Sequence, residues 1–439
     1  MMIASRRVNT GWGVRHRLAI RSLAVFAVLT VAISGVSGVA SAATVKTPRV
    51  AAPAATPKGT PIKIMSMCQC GGPVGSSNYP EAEIGAKAAA AAINKAGGIK
   101  GRPLELTVCE EQSNQNTASA CARKAVEQKM AAVAGAGSAQ GGVIMPILEA
   151  AGIPWIGFSL GSSQAELNSK FSYPLTLGGP GVSAGAAAIL ALYAKDKNIV
   201  TGHADVAAAL GSLAFADKEL AVLGRGPLRK VPITSGTPDM TAYANTVISG
   251  GTTGVFLTLG SADADRMVQA IRLAGSKALI TRSATSLPPA SIQTLGQNAN
   301  GIMTPAFFTP ISSKNAPGIK EFRRDVNGIG ENPDASGEYG VVGWAAVQLF
   351  AQAAKKATTI DPAGIMAALD AGTFDLKVAP PVQFKTPSAE VGYPRVFNTS
   401  ITFLQVKNGK LVSASNNQFV ALFKPISKKQ LQGIGAVTS

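Results

Sequence analysis

The sequence is poor in the residues that most enzyme chemistry relies on. Histidine occurs twice in 439 residues, as His16 and His203, and charged residues make up only 15% of the chain. Only His203 lies beyond the N-terminal segment that reads as a leader, so few sets of nucleophile and base can be assembled. The stretch "GFSLG", Gly157 to Gly161, matches the G-x-S-x-G pattern after an apolar run, and Ser159 would be its nucleophile. Its one available imidazole, His203, sits in "NIVTGHADV", itself a strand running into a loop. There is no G-x-x-x-x-G-K-[ST] loop for phosphates. "GAGSAQG" lacks the small residue and the later acidic residue that a dinucleotide fingerprint needs. With four cysteines and so few histidines, a zinc site at Cys68 and Cys70 has no further ligands, and C-x-x-C is absent. No cofactor is expected, and no catalytic set.

Acidic residues are also scarce, which gives a formal charge of +17. Residues 1–58 carry eight Lys/Arg and no acid, leaving +9 for the rest. No Lys/Arg block is interleaved with aromatics, so nucleic acid is not an expected partner. Arg6, Arg7, Arg15, Arg17 and Arg21 precede an apolar run that ends in "ASAA", Ala40 to Ala43. That pattern predicts a signal peptide over 1–43 with no lipid-anchoring cysteine after it. The protein is therefore expected to be exported, either extracellular or held at the cell envelope. Residues 44–60, rich in Ala, Pro and Thr, read as a disordered linker.

Beyond residue 60 the chain alternates short apolar runs with stretches of helical spacing. "PIKIMSM" precedes a helix in "NYPEAEIGAKAAAAAINKAGG", with Pro80, Glu81 and Glu83 at its start and Ile84, Ala88, Ala91 and Ala92 on one face. "RPLELTVCE" alternates as a strand. "NTASACARKAVEQKM" returns to helical spacing through Ala118, Cys121, Ala122, Ala125 and Val126. "AAVAGAG", "IPWIGFS", "TGVFLTLG" and "KALITRS" continue the series. The alternation predicts an α/β fold with parallel sheets and helices on both faces, and about 380 residues suit two lobes. Ligands in such sheets bind outside the carboxyl ends of the strands, so the loops after the strands matter most. The first of these is "MCQCGGPVG", where Gly71 and Gly72 let backbone approach a solute. An even number of cysteines in an exported chain favours disulfides. A Cys109–Cys121 bridge would close a short loop and be worth roughly 3 kcal/mol. Cys68 and Cys70 then pair with each other or stay as thiols. Cross-pairing of either with Cys109 or Cys121 is also open, because the first two strands should be neighbours.

"INKAGGIKGRPLELTVCE" resembles the signature of type I periplasmic substrate-binding proteins, and specifically the branched-chain amino acid (Leu/Ile/Val) family that feeds ABC importers. "MPILEAAGIPWIGFSLGSS", "GVFLTLGSADADRMVQAIRLAGSKA" and "NPDASGEYGVVGWAAVQLFAQAAKKA" come in the family's order, and the resemblance covers nearly everything from 60 to 425. A subset of that family carries C-x-C in the first loop and a second Cys pair at the positions of Cys109 and Cys121. The resemblance implies two Rossmann-like lobes joined by three crossings, with ligand held between them. It places lobe 1 at 61–180 plus 305–375, lobe 2 at 181–304 plus 376–425, and a tail at 426–439. It implies carboxylate contacts at Ser138, Ala139, Ser162 and Ser163, and a covering aromatic near Tyr79. The family's second-lobe aromatic falls at Gly260-Ser261. Its ammonium-gripping acid falls in "TRSATSL", around Thr285, where no Asp or Glu stands. A buried ammonium without a carboxylate is costly, so a small carboxylate or amide fits these residues as well as an amino acid. The implied function is capture of a small polar solute and its delivery to ABC-transporter permease subunits by a monomer. A sensory or scavenging binding protein without a permease is the alternative, and a serine hydrolase at Ser159 a remoter one.

Overall fold

The computed structural model describes residues 56–71, 79–135, 138–158, 163–194 and 198–434. The predicted leader, most of the linker, Ser159, Ser162 and residues 435–439 lie outside them. The chain first builds β1 (Ile62–Cys68), α1 (Glu81–Lys95), β2 (Leu104–Glu110), α2 (Gln115–Glu127), β3 (Ala132–Ala134), α3 (Gly141–Ala150), β4 (Trp155–Ile156), α4 (Gln164–Asn168) and β5 (Ser172–Tyr173). These five strands form one parallel sheet in the order β2-β1-β3-β4-β5. The chain then crosses to α5 (Gly178–Tyr193), β6 (Ile199–Ala204), α6 (Ala207–Val222), β7 (Arg229–Ile233), α7 (Thr241–Ile248), β8 (Gly254–Thr258), α8 (Ser261–Leu273), β9 (Leu279–Arg282), α9 (Pro289–Leu295) and β10 (Met303–Ala306). Their strands repeat the same order, β7-β6-β8-β9-β10, in a second sheet. A second crossing leads to α10 (Pro317–Gly328), α11 (Gly337–Lys356), α12 (Pro362–Ala371) and the small hairpin β11 (Thr373–Phe374) and β12 (Val382–Gln383). A third returns the chain to the second sheet, where β13 (Ser400–Lys407) pairs antiparallel with β10 and carries β14 (Lys410–Ser413) and β15 (Val420–Ala421). α13 (Lys428–Gly433) closes the described chain.

Local signals explain most of these elements. Asn114 caps α2 by accepting from the N–H groups of Asn116 and Thr117 at 2.9 and 3.1 Å. Ser163 and Glu166 form a capping box on α4. In α2 the buried residues Ala118, Cys121, Ala122 and Ala125 are those of the predicted stripe. In α1 the face differs from the prediction. Ala88 is buried as predicted, but so are Ala82, Gly85, Ala86, Ala89 and Ile93, whereas Ala91 is exposed and Ile84 and Ala92 half-buried. The reason is a second packing partner, α11, which crosses α1 at glycine positions on both helices.

The lobe boundaries also shift. Within residues 376–397, Phe384 and Arg395 dock on the first sheet, while Glu390 and Tyr393 reach α6 of the second lobe. Phe384 packs edge-on against Tyr173 at 5.3 Å between ring centroids, and Arg395 Nε donates to the Ser172 carbonyl at 2.7 Å. The expected tail is folded as far as 434. Ser427 caps α13, Ile434 is buried, and its carbonyl accepts from the Tyr193 hydroxyl at 2.7 Å. The end of the linker is part of the fold as well, because Lys58 N–H and Gly59 N–H both donate to the Gly101 carbonyl.

The cysteines pair as Cys109–Cys121 and Cys68–Cys70, with Cα separations of 5.8 and 5.3 Å. Cross-pairing of Cys68 fails on the pleat. Cys109 is level with Met67 in the ladder, so Cys68 points to the opposite face of the sheet. Cys68 packs with Ala82 and Tyr339 on the side of α1 and α11, while Cys109 reaches α2. Replacing Cys109 and Cys121 together by alanine is expected to cost roughly 3 kcal/mol, because the unfolded chain regains the freedom of that loop. Denaturant titration of the oxidised double variant against the parent measures it, and a loss under about 0.5 kcal/mol would count against that account.

Candidate ligand-binding cleft

In a parallel sheet of order 2-1-3-4-5, the crevice opens at the carboxyl ends of strands 1 and 3, where consecutive connections leave to opposite faces. Both sheets have this order, and their carboxyl ends contribute to one cavity of about 290 Å³. Gln69 enters it just past β1, and Ser138 and Ala139 enter from the loop after β3. Thr258 ends β8, Ser283 and Thr285 follow β9, and Phe307 follows β10. The remaining wall is helical. Gly178, Gly179, Val182 and Ser183 come from the first turns of α5, Ser212 from α6, and Glu338, Tyr339 and Val342 from the first turns of α11.

The chemistry of the wall is mostly neutral hydroxyls. Ser183 and Ser212 hydroxyls are 2.6 Å apart, and Ser212 also donates to the Gly179 carbonyl at 3.2 Å. Ser283 and Thr285 hydroxyls are likewise 2.6 Å apart. The Ser138 hydroxyl accepts from Gln140 N–H at 2.8 Å and donates to the carboxylate of Glu111 behind it. Among the described residues no Lys, Arg or His lines the cavity, and Glu338 is its only carboxylate. One oxygen of Glu338 accepts from Phe307 N–H at 2.7 Å. Burial pushes its carboxyl up to about 7, against the pull of the Phe307 and Phe308 N–H groups. Tyr339 stacks on Tyr79, with ring centroids 4.1 Å apart and planes 13° apart.

Of the residues singled out from the sequence, Ser138, Ala139 and Thr285 line the cavity. Tyr79 stands one ring removed, behind Tyr339. The other described candidates have different surroundings. Gly71 has φ of +66°, a left-handed conformation that favours glycine, and it lies beside the Glu110 carboxylate. The Ser163 hydroxyl caps α4 by accepting from Glu166 N–H at 3.2 Å. Ser261 opens α8, and its carbonyl accepts from the Arg282 guanidinium at 3.3 Å. Ser162 lies outside the described residues. In the Arg282–Leu287 segment, Arg282 is fully buried and paired with Asp265 at 2.6 Å, so that acid is already engaged. His203 is buried in β6 of the second sheet, whereas the strand leading to Ser159 belongs to the first.

A larger depression of about 550 Å³ lies on the second lobe alone, at the amino ends of β8, β9 and β10. Of its two cationic residues, Arg272 and Lys277, the first already donates to the Ser276 and Ala278 carbonyls at 2.9 and 3.0 Å. The end of the sheet it occupies is not the one where parallel sheets bind ligands.

Two parallel α/β lobes, joined by three crossings around a cavity that both of them line, define a two-lobed binding protein. The chain belongs to the periplasmic binding protein family, whose model matches residues 61–410. Its fold is shared with a leucine-binding protein from Thermotoga maritima, at 18% identity over 83% of this chain and 99% of that one, with a TM-score of 0.65. It is shared equally with a leucine-, isoleucine-, valine-, threonine- and alanine-binding protein from Brucella ovis in its closed conformation, at 15% identity, 83% and 96% coverage and a TM-score of 0.68. A solute-binding protein of an ABC transporter from R. palustris, solved with 4-hydroxybenzoate, aligns at 16% identity, 83% and 97% coverage and a TM-score of 0.65. No curated protein matches the sequence. Among the described residues no helix is long and apolar enough to cross a membrane.

Proposed function

We propose that the protein is an exported solute-binding protein that captures a small polar carboxylate, amide or amino acid between its lobes and delivers it to an ABC importer. The observation that carries this reading is the cavity wall itself, with two hydroxyl pairs from the second lobe, the Ser138 hydroxyl from the first and, among the described residues, a single carboxylate. Such a wall recognises by hydrogen bonding, and among the described residues it brings no cation, imidazole or thiol to the solute. Ser138, Ser283 and Thr285 would receive a carboxylate or amide, and Glu338 would accept from the solute's N–H or O–H groups. The leucine-binding and 4-hydroxybenzoate-bound relatives of the same fold support the size and class of solute.

A thermal-shift screen of the chain against amino acids, primary amides and small carboxylates tests the reading. One chemical class is expected to raise the melting temperature without being consumed. For a solute found this way, Ser138→Ala combined with Thr285→Ala removes one hydrogen bond from each lobe. Each such bond is worth about 1 kcal/mol, so affinity is expected to fall roughly 10- to 100-fold in calorimetry. Undiminished affinity in the double variant, or turnover of an ester or amide, would overturn it.

A further inference from the structure

Behind the first-lobe wall lie two buried carboxylates. Glu111 is fully buried just past β2, and its N–H donates to the Cys68 carbonyl at 2.9 Å. One of its oxygens holds the Ser138 hydroxyl, and the other has no hydrogen-bond partner among the described residues. Glu166, 1% exposed on α4, accepts from Ser163 N–H at 2.9 Å and packs so closely on Gly141 that a Cβ there would sit 2.6 Å from its Oε1. Among the described residues Glu111 forms no ion pair with Lys, Arg or His. Its chain neighbour Glu110 has its carboxylate turned to Gly71. A desolvated carboxylate with a second one nearby favours its protonated form. Burial pushes Glu111 up to about 7, with the Ser138 bond opposing and Glu166 adding to the rise.

The hydroxyl of Ser138 has one proton and two lone pairs. Its oxygen already accepts from Gln140 N–H. With Glu111 ionised, the one Ser138 proton is held by Glu111, and the cavity meets only a lone pair, which repels an anion. With Glu111 protonated, Glu111 donates to the Ser138 oxygen, fills its second lone pair, and leaves the Ser138 proton free to point into the cavity.

We propose that Glu111 is a positioning residue that acts through Ser138 and couples capture of a carboxylate-bearing solute to uptake of one proton. The inference rests on the reading of the cleft as a carboxylate-binding site. No covalent bond changes, and the proton comes from solvent and stays on Glu111 while the solute is bound. Replacing Glu111 by glutamine puts an N–H₂ donor where the protonated acid would be and holds Ser138 permanently in its donating state.

Calorimetry of the full chain with L-leucine and with 4-hydroxybenzoate, between about pH 6 and pH 8, tests the coupling. Their carboxyl groups are ionised throughout this range. For a probe that binds, the affinity of the parent protein is expected to fall about tenfold from pH 6 to pH 8. In buffers of different ionisation enthalpy, about one proton is expected to be taken up per probe bound at pH 8. Glu111→Gln is expected to give a flat profile, with pH 8 affinity at or above the parent's. Ser138→Ala, which keeps Glu111, is expected to bind more weakly and also without slope. A flat profile or no proton uptake in the parent protein overturns the coupling and leaves the cleft reading standing, as does a slope retained in Glu111→Gln. If neither carboxylate binds at any pH, the carboxylate reading of the cleft fails and this inference falls with it.

Discussion

Replacing Gly343 by valine is expected to cost several kcal/mol and to lower the yield of folded protein sharply. α1 and α11 cross so closely that glycine on each helix meets backbone of the other. A Cβ on Gly343 would overlap the Ala82 carbonyl, lying 2.9 Å from its carbon and 3.2 Å from Ala86 N. A Cβ on Gly85 would overlap the Gly340 carbonyl and lie 3.0 Å from Trp344 N. Backbone at the centre of two buried helices cannot step aside as a side chain tip can. Overpacking therefore reaches or passes the upper end of its usual 1–3 kcal/mol cost. The same crossing aims the first turn of α11, with Glu338 and Tyr339, into the cavity. Any Gly343→Val protein that does fold is expected to lose solute-induced stabilisation too. Gly211 on α6 is the matched control, because a Cβ there meets nothing within 4 Å. Gly211→Ala removes helix-interior glycine and is expected to gain about 0.5–1 kcal/mol. Denaturant titrations of both variants decide the matter. A Gly343→Val protein as stable as its parent would show that this crossing is looser than these distances imply.

That crossing also marks the limit of what could be read from the sequence. Strand–helix alternation and the small-residue stripe of α2 depend on local periodicity, and both are found where the sequence puts them. The family resemblance points to Ser138, Ala139 and Thr285, and for Ser138 and Ala139 it agrees with the rule that ligands bind past strand ends. Glu338 and Tyr339 sit in a stretch whose sequence says only that it is helical. They face the cavity because α11 docks on α1 across some 250 residues of chain, and no local pattern encodes that. Ser183 and Ser212 were hidden for a related reason. They stand on Ala/Gly-rich helices whose first turns reach the cleft only through the crossing after β5. The late return to the second sheet follows from Arg395 and Phe384 docking at β5, another long-range choice. A weak signal was present for Glu338, an isolated acid in the glycine-broken helix start "ASGEYG". Gly71, Ser163 and Ser261 show the converse. Small polar residues at loop ends are as readily used for tight approaches and helix caps as for ligand contact.

Without solute, the protein is expected to be more stable at pH 5 than at pH 8, unlike a fold held together by exposed ion pairs. Glu111, Glu219 and Glu338 are each pushed by burial from 4.5 up to about 7. Glu219 is fully buried on α6, with one oxygen accepting from Phe423 N–H at 2.5 Å and the other without a partner among the described residues. Between pH 4.5 and 7 the folded chain holds protons at these sites that the unfolded chain has released. Stability contributed by the neutral carboxyls is fully present below 4.5, declines as pH rises, and is gone above about 7. For a fully buried group this is worth roughly 3 kcal/mol. Carboxylates shifted the other way, such as Asp334 beside Arg323 and Glu390 beside Lys424, are already ionised at pH 5 and contribute no slope above it. The window from pH 5 to pH 8 therefore isolates the buried set. A melting temperature about 5–10 °C lower at pH 8 is expected. Glu219→Gln keeps an acceptor for Phe423 N–H and removes the titration. It is expected to flatten the profile by about a third while costing stability at pH 5, where its N–H₂ group replaces a neutral carboxyl. Calorimetric scans at half-unit steps of pH measure both effects. A melting temperature that rises steadily from pH 5 to pH 8 would mean that these carboxylates find cations or water that relieve their burial, and would remove the basis for proton-coupled capture at Glu111 as well.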